Sequence, residues 1–214
     1  MVSLQEELDN QRTKQGGYLH HVNLQIKDAN QNRIKNPIPE VGDLAIDFEL
    51  PNDCGNKVSL DQLLKDGPVI LNFFRGNFCD YCQLHLKALQ RSLKEFKRYR
   101  ATLVGISPSL LTVQSISQES LELTYSILSD AGNRVAALYG LKYSLSEELL
   151  SVFEEFGINL HDNYRDESVD ETSMPIPATF VVNTDKKIVF AFHDMDYTKR
   201  AEPADIIASL ISIY

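Results

Sequence analysis

Cysteine is scarce in this chain: three residues in 214. Three cysteines cannot form a disulfide framework, because one is always left over, so a reducing compartment with one functional pair is the simpler account. Long apolar runs are missing as well. No window approaches the roughly 18 apolar residues of a membrane span. The opening stretch, "MVSLQEELDNQRTKQ", is polar and mixed in charge and lacks the apolar core of a secretory signal, which makes the cytoplasm the expected location. Positive charge is in deficit, with a formal net charge of −9, so nucleic acid is not expected as the main partner. The deficit is concentrated. Between Ser146 and Ser173 nine acids (Glu147, Glu148, Glu154, Glu155, Asp162, Asp166, Glu167, Asp170 and Glu171) face one base, Arg165. Internal repeats and low-complexity tracts are also lacking.

What is present is an apolar fraction of 43% in a chain long enough for one domain and a real core. Residues 1–39 read as a peripheral helical extension. Ser3 and Glu6 fit a capping box, Gly16-Gly17 stops the first helix, and a weaker helix runs from about Tyr18 to Ile34. After the linker "KNPIPEVGD", residues 40–214 read as the main domain. "LAIDFEL" and "KVSL" form a hairpin around a turn near Gly55, and Ser59 with Gln62 caps a short helix. "GPVILNFF" is a buried strand, followed by a long helix to about Arg100 with Leu86, Leu89, Leu93 and Phe96 on one stripe. Lys87, Arg91, Lys94 and Arg98 lie on another, solvated face. "ATLVGIS" is the next strand, then a helix near 110–121, the strand "YSIL", and a helix capped by Asp130 and ending at Gly140. The acidic insert, about 141–173, holds one helix near Glu147 to Phe156 and then a polar loop. "ATFVVN" and "IVFAFHD" close a hairpin, and Pro203 opens the last helix. The alternation predicts an α/β fold: a central mixed β-sheet with helices on both faces.

The chemical signal is "NFFRGNFCDYCQLHL", residues 72–86. Cys79 falls where the strand ends and Cys82 one helical turn later, close enough to be bridged. The open amides and dipole of the first turn favour a thiolate at Cys79, so its pKa is expected below the usual thiol value, with the shielded Cys82 less acidic. Cys79 then attacks, and Cys82 takes over the sulfur bond to leave an intramolecular disulfide. Arg75, four residues earlier, would lower the pKa of Cys79 further, while Asp80 would raise it. Phe78 and Tyr81 would form an apolar rim. In "MPIPATF" a cis bond before Pro177 would aim the Ile176 backbone at a neighbouring site. No metal is expected: there is no second C-x-x-C, and His85 offers a third ligand with no evident fourth. Haem attachment is excluded by Gln83, where a histidine is needed. Cys54 reads as a free surface thiol, His193 as a strand end, and His20-His21 as part of the peripheral arm.

"FFRGNFCDYCQLHLKALQ" resembles the Y-R-G-x-W-C-P-Y-C-x-x-x-L-x-A-L-Q stretch of peroxiredoxin-like proteins, the alkyl hydroperoxide reductase/thiol-specific antioxidant (AhpC/TSA) group of the thioredoxin superfamily. The likeness continues through "VGDLAIDFELPNDCGNKVSL" and "PIPATFVVNTDKKIVFAFHDMDYTKRAEPADIIASL". The resemblance implies a thioredoxin-like fold, Cys79 as attacking and Cys82 as resolving thiol, and Pro177 as a cis-proline facing the pair. It implies a peroxide as substrate and an external thiol reductant such as a thioredoxin-like protein, with no cofactor. Disulfide reduction on a protein substrate, or a redox-regulated binding module, stays open from the same residues, as does a homodimer. This chain departs from the pattern at Phe78 and Asp80, which replace tryptophan and proline. The P-x-x-x-T-x-x-C frame of typical peroxiredoxins holds Asn72 and Gly76 here, so the threonine hydroxyl that orients peroxide is absent.

Overall fold

The computed structural model describes residues 3–14, 19–110, 118–160, 164 and 172–213. The apolar run behind Gly67-Pro68 is strand β3 (Val69–Phe73), buried along its whole length. It pairs in parallel with β4 (Thr102–Ser107), which pairs in parallel with β5 (Ser126–Ser129). On its other edge β3 runs antiparallel to β8 (Ala178–Val182), which continues into β9 (Ile188–His193). The sheet order is therefore β5-β4-β3-β8-β9, the mixed sheet that the alternation predicts. A buried five-residue strand needs both faces covered. Val69, Leu71 and Phe73 face one apolar cluster and Ile70 faces the other.

Helix α4 (Asp80–Arg98) lies on the second face. Its stripe of Leu86, Leu89, Leu93 and Phe96 is at most 8% exposed, and each such side chain contributes roughly 1.5–3 kcal/mol by burial. Lys87, Arg91, Lys94 and Arg98 are exposed, as expected of a solvated face. The hairpin β1 (Glu49–Pro51) and β2 (Lys57–Ser59) turns near Gly55, and Ser59 with Gln62 forms the capping box of α3 (Leu60–Leu64). The last helix, α7 (Pro203–Ile211), starts on its proline and buries Ile206 and Leu210. The expected helix near 110–121 falls largely outside the described residues.

Three features differ from the sequence reading. The N-terminal arm is docked, not peripheral. Helix α1 (Leu4–Lys14), opened by the Ser3/Glu6 capping box, buries Leu4 and Leu8 in the cluster that holds α4. Glu7 takes Arg91 at 2.8 Å, and Arg12 reaches Asp196 at 3.7 Å. Helix α2 (Leu19–Gln31) is tied to the start of α6 (Glu147–Glu155) by Asp28, which accepts from the Ser146 amide at 2.7 Å. Second, Asp130 caps its helix across an intervening turn instead of standing directly before it. A 3₁₀ turn (Ala131–Asn133) intervenes before α5 (Arg134–Leu138), and the buried carboxylate reaches over it to the amides of Val135 and Ala136 at 2.9 and 2.8 Å. Third, the acidic insert is bracketed by paired strands, β6 (Lys142–Ser144) and β7 (Ser173–Pro175). Its acids Asp162, Asp166, Glu167, Asp170 and Glu171 lie outside the described residues. Among the described residues no helix is long and apolar enough to cross a membrane.

Candidate active site

After β3 the chain passes through residues 74–78 into α4, and Cys79 is the N-cap of that helix. Its backbone is extended (φ −98°, ψ 105°), and its carbonyl accepts the first helical bond, from the Gln83 amide at 3.0 Å. The Gln83 side chain returns to the Asn77 carbonyl at 2.6 Å and fixes the loop. Cys82 follows one turn on. Both are free thiols, 5% and 1% exposed, and hydrogen-bonded to each other.

Two guanidiniums converge on the pair. Arg75 is 2% exposed and stacks on the Tyr197 ring, 4.3 Å from its centroid, with Phe78 and Phe153 at 5.6 and 5.7 Å. Its backbone carbonyl accepts from the buried Tyr164 hydroxyl at 2.7 Å. Arg200 lies in the segment leading to α7. Its Nη1 donates to the carbonyls of Tyr197 and Lys199, which aims Nη2 at Cys82 Sγ, 3.2 Å away, and leaves Cys79 Sγ at 4.0 Å.

This arrangement reverses the expected order of acidity. Burial, the hydrogen bond to Cys82 and the charge of Cys82 hold the Cys79 thiol well above its ordinary value, although both arginines pull it down. Cys82 suffers the same burial, but the Cys79 thiol donates to it and Arg200 and Arg75 stabilise its anion, so it falls well below. The helix amides were expected to place the charge on the N-cap sulfur; the closer guanidinium draws it one turn deeper. Arg75 keeps its own charge: burial works against it, but Cys79, Tyr143, Tyr197 and Cys82 outweigh that. His85, one turn beyond Cys82, is neutral, its pKa pushed down to about 3 by burial and by Arg200.

Cys79 opens onto a pocket of about 260 Å³ that Arg75, Phe78 and Tyr81 also line. Asp80 lies at its exposed edge, where its carboxylate accepts from Gln11 of α1 at 3.0 Å. Ile176 and Pro177 are buried and do not line this pocket. The bond between them is trans, against the expected cis, and the Ile176 amide donates to the Leu141 carbonyl at 2.8 Å. Cys54 is exposed in its turn, and His193 at the end of β9 meets Glu40 at 3.1 Å. Sequence reasoning missed Arg200, Tyr197 and Gln25, and assigned His21 no role. His21 and Gln25 of α2 both line the pocket, His21 edge-on to Phe156 at 4.9 Å.

Gly76 stands where typical peroxiredoxins carry threonine, and it has φ +150°. A Cβ there would lie 2.9 Å from the Phe78 ring and 3.1 Å from Ser109 Oγ. Gly76→Thr is therefore expected to lower activity instead of restoring the missing hydroxyl, with a stability cost of about 1–3 kcal/mol visible as a lower urea midpoint.

A mixed sheet with a thiol pair at a strand-to-helix junction, buried beside two arginines, defines a thiol-dependent oxidoreductase. The chain belongs to the AhpC/TSA family, whose profile matches residues 41–191. A protein of Mycobacterium tuberculosis named as a peroxiredoxin is 32% identical over 150 residues, 70% of this chain and 82% of that protein. The Helicobacter pylori protein named peroxiredoxin bcp is 31% identical over 158 residues, 73% of this chain and 89% of its own. The crystal structure of peroxidoxin BcpB from Mycobacterium tuberculosis superposes with a TM-score of 0.62 at 30% identity, covering 82% of this chain and 98% of that one. A peroxiredoxin-like protein of Aquifex aeolicus, 13% identical, shares the fold with a TM-score of 0.64 over 84% of this chain and 90% of its own. The fold is thioredoxin-like.

Proposed function

We propose that this chain is a peroxiredoxin-type thiol peroxidase in which Cys79 reduces a hydroperoxide and Cys82 resolves the product. One observation carries the reading: the sulfur that borders the pocket is Cys79, and Cys82 lies behind it, with Arg200 Nη2 3.2 Å from its sulfur. Cys82 is then a built-in base. The Cys79 proton passes to Cys82, and the Cys79 thiolate attacks the terminal peroxide oxygen. An S–O bond forms, the O–O bond breaks, and the departing alkoxide takes the proton from Cys82 to leave as an alcohol. Cys79 is now a sulfenic acid, and Cys82 is again a thiolate. Cys82 attacks the Cys79 sulfur, the S–O bond breaks, and hydroxide leaves and is protonated by solvent. The resulting disulfide is reduced by an external dithiol through exchange. Arg75, charged and beside Cys79, stabilises the negative charge that develops on the leaving oxygen.

The reductant we favour is a thioredoxin-like protein, and the setting the cytoplasm, where such dithiols are kept reduced. The test is stopped-flow oxidation of the reduced protein by hydrogen peroxide. The reading requires a second-order rate far above that of a free thiol. A rate no faster than a free thiol, together with rapid insulin reduction, would replace it with disulfide reductase activity on the same pair.

A further inference from the structure

The pocket beside Cys79 is assembled from four parts of the chain, Tyr197 among them. Residues 75–81 and the α6 region lie within the stretch that matches the AhpC/TSA profile, whereas Gln25 comes from α2, outside residues 41–191. Buried polar groups on this pocket that lack a hydrogen-bond partner among the described residues include the Tyr81 hydroxyl. Two more are Nε and Nη1 of Arg75 and Oε1 of Gln25, in side chains whose residues are 2% and 6% exposed. Buried polar atoms are seldom left unpaired, because each costs its full desolvation without return. Their chemistry is complementary: Arg75 only donates, and the Gln25 carbonyl oxygen only accepts.

One ligand end that satisfies both must accept from a guanidinium and donate to an amide oxygen. A carboxylate has no proton to give. A hydroperoxide has one O–H donor and two oxygens that accept. With its proton on Gln25 and its oxygens toward Arg75, the O–O bond is held in the pocket that Cys79 borders, against apolar walls that include Phe78 and Phe153.

We infer that Gln25 is a substrate-binding residue. Its side-chain oxygen accepts the peroxide O–H while Arg75 donates to the peroxide oxygens, and the pair stands in for the hydroxyl absent at Gly76. The inference rests on the peroxidase reading above and adds helix α2 to the catalytic pocket. It uses the S–O forming and O–O breaking step already described, with no further reactant.

The test compares the wild type with Gln25→Met and Gln25→Leu, each as the full chain. Stopped-flow oxidation of Cys79 is measured with hydrogen peroxide and with cumene hydroperoxide. Alkylation of Cys79 by iodoacetamide, which needs no donor–acceptor cradle, is measured beside it. Loss of one catalytic hydrogen bond predicts that both peroxide rates fall about tenfold or more. Alkylation should stay within about twofold of the wild type. Peroxide rates that remain near wild type overturn the inference, and so does a parallel fall of peroxide and alkylation rates, which would mark Gln25 as merely structural. A wild-type peroxide rate at the free-thiol level would instead remove the peroxidase reading itself, and the cradle with it; a fast wild type with unchanged variants removes Gln25 alone.

Discussion

Cys79→Ser should abolish peroxide consumption, with a loss on the order of 10⁴-fold or more in the second-order rate, because a serine hydroxyl neither ionises near neutral pH nor attacks a peroxide oxygen usefully. Cys82→Ser should behave differently. The cycle stops, since no resolving sulfur remains, but one turnover survives and leaves a Cys79 sulfenic acid that dimedone traps. The acidity of Cys79 should also change. In the native pair its thiol is held high by burial first, then by the hydrogen bond and charge of Cys82, against the pull of Arg75 and Arg200. Removing Cys82 deletes the second and third of these and leaves both guanidiniums acting on one sulfur. The pKa of Cys79 should therefore fall, so that in a Cys54→Ser background the thiolate absorbance at 240 nm of this variant belongs to Cys79. A Cys82→Ser protein whose Cys79 becomes harder to ionise would contradict the shared-proton account.

Arg200→Met is the second large effect. The guanidinium stands 3.2 Å from Cys82 Sγ inside a site with almost no solvent, where a charge is poorly screened. Without it the Cys82 anion retains burial and loses its closest cation, and its pKa should rise. Because the resting thiolate is both the base and the resolving nucleophile, disulfide formation at pH 7 should slow by about 10–100-fold. Raising the pH should recover part of the loss as Cys82 ionises again. The measurement is the 240 nm titration of wild type and variant together with the rate of disulfide formation after a peroxide pulse. Superimposable titrations would show that Arg200 does not hold the charge.

The local half of this site was legible in the sequence. The C-x-x-C spacing, the apolar strand before it, the stripe of α4 and the arginine four residues upstream are all short-range patterns, and each fixes a position relative to Cys79. The capping boxes at Ser3 and Ser59 are legible for the same reason: two side chains three residues apart satisfy each other's amides. The other half arrives through tertiary contact. Arg200 reaches Cys82 across 118 residues, and no pattern around "DYTKRAEP" announces that a guanidinium there will be buried. That gap also reversed the acidity of the pair, since a helix dipole is inferred locally and a remote charge is not. Gln25 and His21 enter the pocket only because α1 and α2 dock, and a mixed-polarity arm gives little sign of docking. The strands β6 and β7 have three residues each, too few to show a period of two. Ile176 and Pro177 were placed by the X-Pro bond in "MPIPATF" and by resemblance, and here the Ile176 amide is occupied by the Leu141 carbonyl.

The central claim is that one peroxide converts the two neighbouring sulfurs into one disulfide through Cys79. Peptide mass mapping of the reduced full chain after one equivalent of hydrogen peroxide tests it most directly. The account predicts a loss of two hydrogens, a Cys79–Cys82 cross-link, and a Cys54 that still alkylates. A chain in which Cys79 and Cys82 both still alkylate, or in which the cross-link joins Cys54, would contradict it.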